Sequence, residues 1–295
     1  MEYILHLLIL ICFYTLLSQS LNLSAGFTGL ISLSHAGFYG IGAYITAILS
    51  THFGFSFWLN LPLAMLISGA IAFVVSLIAL RTVEDYFIIC TLGIQVILFS
   101  LMNNLMDVTR GPLGIPGIPS ISFFGMSLDS KISFLILSLF FVALVWFVLK
   151  NISKSGFGKT LTAISEDEIY TQSIGKSVYQ SKIISFTTSA ILAAIPGALY
   201  AHYISYIDPT SFTVAESIFI LSIVIIGGLG NMTGSFLAAA FLVLLPEALR
   251  FVGMPDSIAA NMRQIIYGLI LVVVMMTGKN GVTELFKKQS TKRTA

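Results

Sequence analysis

A chain of 295 residues with 57% hydrophobic and only 9% charged side chains lies far from the roughly 25% charge of a soluble domain. With a mean hydropathy of +0.96, it reads as an integral membrane protein rather than a soluble enzyme. The net charge of +2 offers no basic field for nucleic acid, and Cys12 and Cys90 sit in apolar runs without metal-ligand or secreted-scaffold spacing.

A helix needs about 20 apolar residues to cross the hydrocarbon core. The first run, 3–21, has that length. It opens MEYILHLLIL, without the basic flank and cleavage site of a signal peptide, and reads as a retained span. The second, 28–50, overlaps LNLSAGFTGLISLSHAGFYGIGAY (21–44). There Gly26, Gly29, Gly37, Gly40 and Gly42 are mixed with Asn22, Ser24, Thr28, Ser32, Ser34 and His35. Glycine in lipid serves close helix packing, and Ser32, Ala36 and Gly40 share a face suited to it. Glycine also permits a break, which is tolerated where the backbone is buried in protein or lines a wet path. Asn22, Gly26, Gly29 and His35 are the candidates for such a path. His35 is the strongly titratable group of the stretch; its plainer role is a neutral hydrogen bond between helices.

Spans 60–80 and 86–105 lead to TRGPLGIPGIP (109–119). Pro112, Pro116 and Pro119 restrict this loop, and Gly111, Gly114 and Gly117 allow tight bends. It reads as a rigid external loop that docks a partner, plugs a mouth or simply connects. Span 132–150 follows, then the polar stretch 151–182. Its SGFGKT (155–160) ends like a nucleotide-binding loop. That motif requires a glycine five residues before Gly158, where Ser153 stands, and a strand before it, where a membrane span stands. The chain therefore does not hydrolyse ATP by itself. Leu161, Ile164, Ile169 and Ile174 recur at loosely helical spacings, the acidic cluster Glu166, Asp167 and Glu168 lies among them, and Gly175 is a helix stop. The stretch predicts a short cytoplasmic helix, either a solvated connector or a partner contact.

Spans 183–203, 214–230, 232–250 and 262–279 bring the total to nine, with eight or ten as alternatives because GGLGNMTG (227–234) interrupts one pair. Gly227, Gly228 and Gly230 join the path candidates. Two glycine-interrupted segments resemble the inverted repeats of transporters whose discontinuous helices meet near the midplane. Gln95, Asn103, Asn104 and Glu216 are further intramembrane polar groups, and Glu247 and Arg250 suit a local ion pair. Lys150, Lys154, Lys159, Lys176 and Lys182 surround the polar stretch, while Lys279, Lys287, Lys288, Lys292 and Arg293 mark the C-terminal tail, which includes 280–295. Both regions read as cytoplasmic, and an even number of spans separates them. The fold class is an all-α integral membrane protein, N-terminus outside and C-terminus inside, with 1–295 one transmembrane domain. Of the 15 basic residues, only Arg110, Lys131, Arg250 and Arg263 then fall outside.

Four stretches together carry a family resemblance: NLSAGFTGLISLSHAGFYGIGAY, TRGPLGIPGIP, SGFGKTLTAISEDEIYTQSIG and GGLGNMTGSFLAAAFLVLLPEALR. Over residues 22–271 the chain resembles a permease subunit of the branched-chain amino acid ABC transporters, the subunit that pairs with a second, homologous permease. The urea-type permeases of the same superfamily share much of the pattern and give the alternative substrate. The resemblance implies a coupling helix that presents Lys159, Glu166, Asp167, Glu168 and Gly175 to a separate ATPase. It implies two such ATPase subunits, which use ATP and magnesium, and a periplasmic or lipid-anchored solute-binding protein. It also implies the cell inner membrane, no cofactor bound by this chain and no covalent chemistry. Many ABC importers carry a glutamate six residues before the coupling glycine; here Ile169 stands there, beside Glu168. Near the end, TGKNGVTEL replaces an Arg-Pro-Gln-Gly-like turn.

An ATP-independent secondary transporter predicts a deep acid–base pair, which the spans lack. A membrane enzyme predicts a clustered constellation, whereas His6, His35, His52 and His202 are scattered along the chain.

Overall fold

The computed structural model describes residues 2–82, 84–123, 126, 127 and 130–250, with Gly268, Leu269 and Val272. In chain order the helices are α1 (Glu2–Ala25), α2 (His35–His52), α3 (Phe57–Ala79), α4 (Glu84–Asn104), the single turn α5 (Met106–Thr109) and α6 (Lys131–Lys154). They continue with α7 (Gly156–Glu166), α8 (Glu168–Ser173), α9 (Val178–Ile204), α10 (Val214–Gly227) and α11 (Met232–Arg250). Four two-residue strands make two small antiparallel pairs. The strand β1 (Ile115–Pro116) pairs with β4 (Tyr206–Ile207), and β2 (Ser122–Phe123) pairs with β3 (Met126–Ser127).

Five of these helices, α1, α3, α4, α6 and α9, are long and apolar enough to cross a membrane. The chain is a multi-pass membrane protein. Its packing is the reverse of a soluble bundle. On α3 the buried face carries Asn60, Ala64, Ser68, Ala72, Ser76 and Ala79, while Leu66, Phe73, Val74 and Ile78 are exposed. Lipid tails are as apolar as leucine, so helices gain nothing by hiding leucine from them; small residues at the contact let backbones approach. The Ser68 hydroxyl uses that approach to donate to the Ala190 carbonyl of α9 at 2.9 Å.

α2 is shielded mainly by α3 and α9, with α4 and α10 at its start, and needs no apolar surround. Most of its side chains are buried. At Gly42 a Cβ would stand 2.5 Å from the Ala194 carbonyl oxygen, and at Gly197 one would stand 2.8 Å from the Ala43 nitrogen. The two backbones touch, which only glycine allows.

Three expectations change. The run 28–50 is helical only from His35, with residues 26–34 irregular. The interrupted pair resolves into α10, 14 residues long, and α11, 19 residues long, separated by residues 228–231. The predicted cytoplasmic helix is two helices, as described below. The expected ninth span 262–279, apart from Gly268, Leu269 and Val272, lies outside the described residues, as do the tail 280–295 and the Arg250 side chain of the expected Glu247–Arg250 pair.

Candidate functional site

The two glycine-rich interruptions touch. Asn22, buried in the last turns of α1, accepts from the Gly230 backbone N–H at 2.8 Å and donates to the Ser235 hydroxyl of α11 at 2.9 Å. A Cβ on Gly26 would collide with the Gly230 nitrogen, and one on Gly227 would lie 2.6 Å from the Gly234 carbonyl carbon. Asn22, Gly26 and Gly230 thus form one contact, while Gly227 packs on Gly234 and Ser235 of α11, with Gly228 at the end of α10. Gly29 lies apart from it, where a Cβ would stand 3.6 Å from Ser165 Cα of α7.

A buried polar seam continues from this contact along α1 and α9. The Ser24 and Ser189 hydroxyls are 3.3 Å apart, Ser189 also donates to the Ser20 carbonyl at 2.7 Å, and Thr28 meets Ser185 at 2.6 Å. His35 joins it through Nε2, 2.7 Å from the Ser20 hydroxyl. The first-turn amides of α2 are then capped from other helices. Ala36 N–H donates to Ser217 of α10 at 3.0 Å, and Gly37 N–H donates to Gln95 Oε1 of α4 at 2.7 Å. Gln95 completes the set by donating to the Phe212 carbonyl at 2.8 Å. Helix N-termini leave amides without intrahelical partners, and anions favour such ends. Here side chains from α4 and α10 occupy that position. Asn22, Gly26, His35, Gly227 and Gly230 carried a signal in the sequence as polar or glycine positions inside spans, and Gln95 as an intramembrane polar group. Ser185, Ser189, Ser217 and Ser235 are single hydroxyls in otherwise apolar helices, a pattern as common in helix packing.

At one end of the bundle, α7 and α8 replace the single predicted helix. Asp167 divides them: it is extended at φ −154° and ψ 107°, and its side chain accepts from the Tyr170 N–H at 2.8 Å as the N-cap of α8. SGFGKT starts α7. Ser155 accepts from the Gly158 N–H at 3.2 Å, Thr160 donates back to the Gly156 carbonyl at 3.0 Å, and Lys159 is exposed. The motif therefore makes an ordinary helix start. Leu161 and Ile164 are buried, but Ile169 is 81% exposed, with Tyr170 and Ile174 also exposed. The four periodic apolar residues split into an inward pair and an outward pair at the Asp167 break. Glu166 is exposed, Glu168 pairs with Lys182 of α9, and Gly175 closes α8.

The loop 111–119 lies at the opposite end, fastened to the end of α9. The β1–β4 pair holds it, and the Pro119 carbonyl accepts from His202 Nδ1 at 2.6 Å. Gly114, at φ +67°, lies against the Ile207 carbonyl where no Cβ fits. Gly111 is buried, whereas Pro112, Pro116, Gly117 and Pro119 face out.

The family model for the permease component of the branched-chain amino acid transport system matches residues 3–275. The chain belongs to this permease family. It is a family of transport permeases, not of enzymes. The permease is 36% identical to the high-affinity branched-chain amino acid transport system permease protein LivM of Salmonella typhimurium strain LT2, over 260 residues that cover 80% of this chain and 61% of the relative. LivM of Escherichia coli K12 is 35% identical with the same coverage. A probable branched-chain amino acid transport permease protein, LivH of Methanocaldococcus jannaschii, is 25% identical over 88% of this chain and 84% of its own. The permease thus spans 61% of the length of these LivM relatives. No solved structure matches it. Among the described residues no group of three His, Cys, Asp or Glu side chains gathers to hold a metal. The histidines are less scattered than their sequence positions indicated: His6 and His202 line one cavity.

Proposed function

We propose that this permease is one membrane-spanning subunit of an ATP-driven importer of branched-chain amino acids in the cell inner membrane. It works beside a second, homologous permease, two ATPase subunits that consume ATP and magnesium, and a solute-binding protein outside. The names of its relatives support the substrate class. The exposed face of α8 supports the coupling role. Ile169, Tyr170 and Ile174 project at an end where Arg81, Lys154, Lys159 and Lys176 are also exposed. Lysine-rich ends favour cytoplasmic water over lipid, so an apolar patch there suits a protein contact.

The connections of α8 suggest how a partner's motion travels. The Glu168–Lys182 ion pair ties α8 to α9, and Ser165 of α7 abuts Gly29 at the first interruption. From there the hydroxyl pairs of the α1–α9 seam lead to Asn22 and Gly230. Hydroxyls exchange donor and acceptor roles, so such a seam can re-pair as α9 shifts. ATP and the loaded binding protein bias this equilibrium through differential contacts. The N-terminus lies outside and the α7–α8 end inside, and this chain binds no cofactor.

The test is uptake of radiolabelled leucine and urea by vesicles holding this permease with its neighbouring permease, ATPases and binding protein. ATP-dependent leucine uptake that disappears without this chain is the expected result. Urea uptake overturns the substrate, and uptake by this chain alone, indifferent to ATP, overturns the ABC reading.

A further inference from the structure

The helices α6 and α11 both pack on α1. Between them, over Gln19 of α1, lies a groove of about 480 Å³. Its walls are apolar: Leu139, Val142 and Trp146 of α6 face Met232, Phe236 and Leu237 of α11. Leu139, Phe236 and Leu237 are exposed there, whereas the small residues of α11, Gly234, Ser235, Ala238 and Ala239, lie on its buried face. Helices meet in lipid through small residues. Walls of large side chains suit a flexible apolar chain instead.

One end of the groove is basic. Leu139, Ala143, Trp146 and Lys150 follow one another at helical spacing on one face of α6, so this stripe turns from apolar to cationic toward α7. Lys150 Nζ stands over the Trp146 ring, 4.2 Å from its centroid. That contact holds the ammonium by its charge and leaves its N–H groups able to donate. Among the described residues the ion pairs are Lys131–Glu2 and Lys182–Glu168, so no carboxylate there neutralises Lys150. Lys154, one turn further, is exposed. From Leu139 to Lys150 the helix rises about 16 Å, close to half of the roughly 30 Å hydrocarbon core. The stripe is therefore one leaflet deep.

We propose that this groove binds an anionic phospholipid of the leaflet at the α7 end. One acyl chain lies between α6 and α11, and the headgroup phosphate accepts from Lys150, with Lys154 beside it. The order and spacing of the parts match such a lipid: an apolar chain one leaflet long, then a negative charge. Basic groups between membrane helices select anionic headgroups in this way. A free phosphate would leave the apolar walls unfilled. The inference is independent of which solute the permease carries and of which end lies inside.

The test is photo-crosslinking in vesicles that hold the complex of both permeases and both ATPases. The probes are phosphatidylglycerol and phosphatidylcholine with the same diazirine-bearing acyl chain, each at subsaturating concentration. Adducts are mapped by mass spectrometry and scaled to those on Phe140, which is exposed on α6 outside the groove. Groove adducts are expected from phosphatidylglycerol at about five times the yield from phosphatidylcholine, the worth of one lysine at an anionic headgroup. Lys150→Gln is expected to lower the phosphatidylglycerol yield to the phosphatidylcholine level. Ala143→Trp, at an exposed position that lines the groove, is expected to abolish groove adducts from both probes while Phe140 stays labelled. Equal yields from the two headgroups overturn the site, as does an unchanged yield in Lys150→Gln. A groove that stays unlabelled beside a labelled Phe140 shows that protein, such as the second permease, fills it, and also overturns the site. Competition by inorganic phosphate or glycerol 3-phosphate as strong as that by unlabelled phosphatidylglycerol overturns the lipid as ligand. Should Lys150→Gln fail to assemble, the headgroup comparison and Ala143→Trp decide alone.

Discussion

Asn22 joins two segments more than 200 positions apart because one amide supplies both an acceptor and a donor. Its oxygen satisfies Gly230 N–H, a backbone group in an interruption where no helix partner exists, and its nitrogen holds Ser235. Asn22→Ala is expected to leave that buried N–H unpaired and to destabilise the permease by about 1–3 kcal/mol. A melting midpoint in detergent equal to wild type would show that the contact carries no stability. Glycine positions separate in the same assay. Gly42 faces the Ala194 backbone, which cannot give way, whereas a Cβ on Gly93 in α4 meets nothing within 4 Å. Gly42→Ala is expected to lower the midpoint by overpacking, at about 1–3 kcal/mol. Gly93→Ala is expected to raise it, since alanine in a helix interior is favoured by roughly 0.5–1 kcal/mol. Equal responses at the two sites contradict the α2–α9 contact.

Among the elements, α8 is the clearest case of local chemistry deciding a larger geometry. Asp167 stops α7 and caps α8, and the turn of chain that follows exposes Ile169 and Tyr170 instead of burying them. Were α7 and α8 one helix, the buried row of Leu161 and Ile164 would run on to Glu168, with Ile169 about 100° further round. Ile169→Asp and Ile174→Asp, each placing a charge in an apolar contact, are expected to weaken assembly with the ATPases by about tenfold or more, measured as co-purification at fixed membrane abundance. Glu168→Lys removes the tie to Lys182, and Gly175→Pro is incompatible with a φ of +81°. Both are expected to lower leucine uptake while ATP hydrolysis continues. Undiminished uptake in both would sink the coupling role. Much of this segment was legible. The spacing marked a helix, Gly175 its end and Ser153 the absence of a phosphate loop. The split at Asp167 was not, because an acidic residue near a helix end favours a cap and an exposed face about equally.

For the whole molecule, the central question is which end faces water on each side of the membrane. α6 runs between the 105–130 segment and α7, so these lie at opposite ends. Leu113 is 78% exposed at one end and Gln172 is exposed at the other. In a background lacking Cys12 and Cys90, Leu113→Cys is expected to react with a membrane-impermeant maleimide in intact cells, and Gln172→Cys only in inverted vesicles. The reverse pattern overturns the orientation and with it the assignment of α8 to the ATPase side.

Composition by itself determined the solvent of this protein, because a chain with 9% charge cannot clothe a water-facing surface. Hydropathy located α3, α4 and α6 for the same reason, since each presents an apolar face to lipid; α1 and α9 are largely buried and were located by the length of their apolar runs. It placed the start of α2 too early and left α10 and α11 uncertain, because an apolar run does not show where the backbone leaves the helix, as it does at residues 26–34 and 228–231. Tertiary structure alone decided which polar groups meet. Asn22 with Gly230, Gln95 with the start of α2, and His6 with Tyr203 are brought together by helix packing across distances along the chain that no local pattern spans. A buried polar group requires a partner wherever the fold supplies one, and its sequence neighbours do not say where that is.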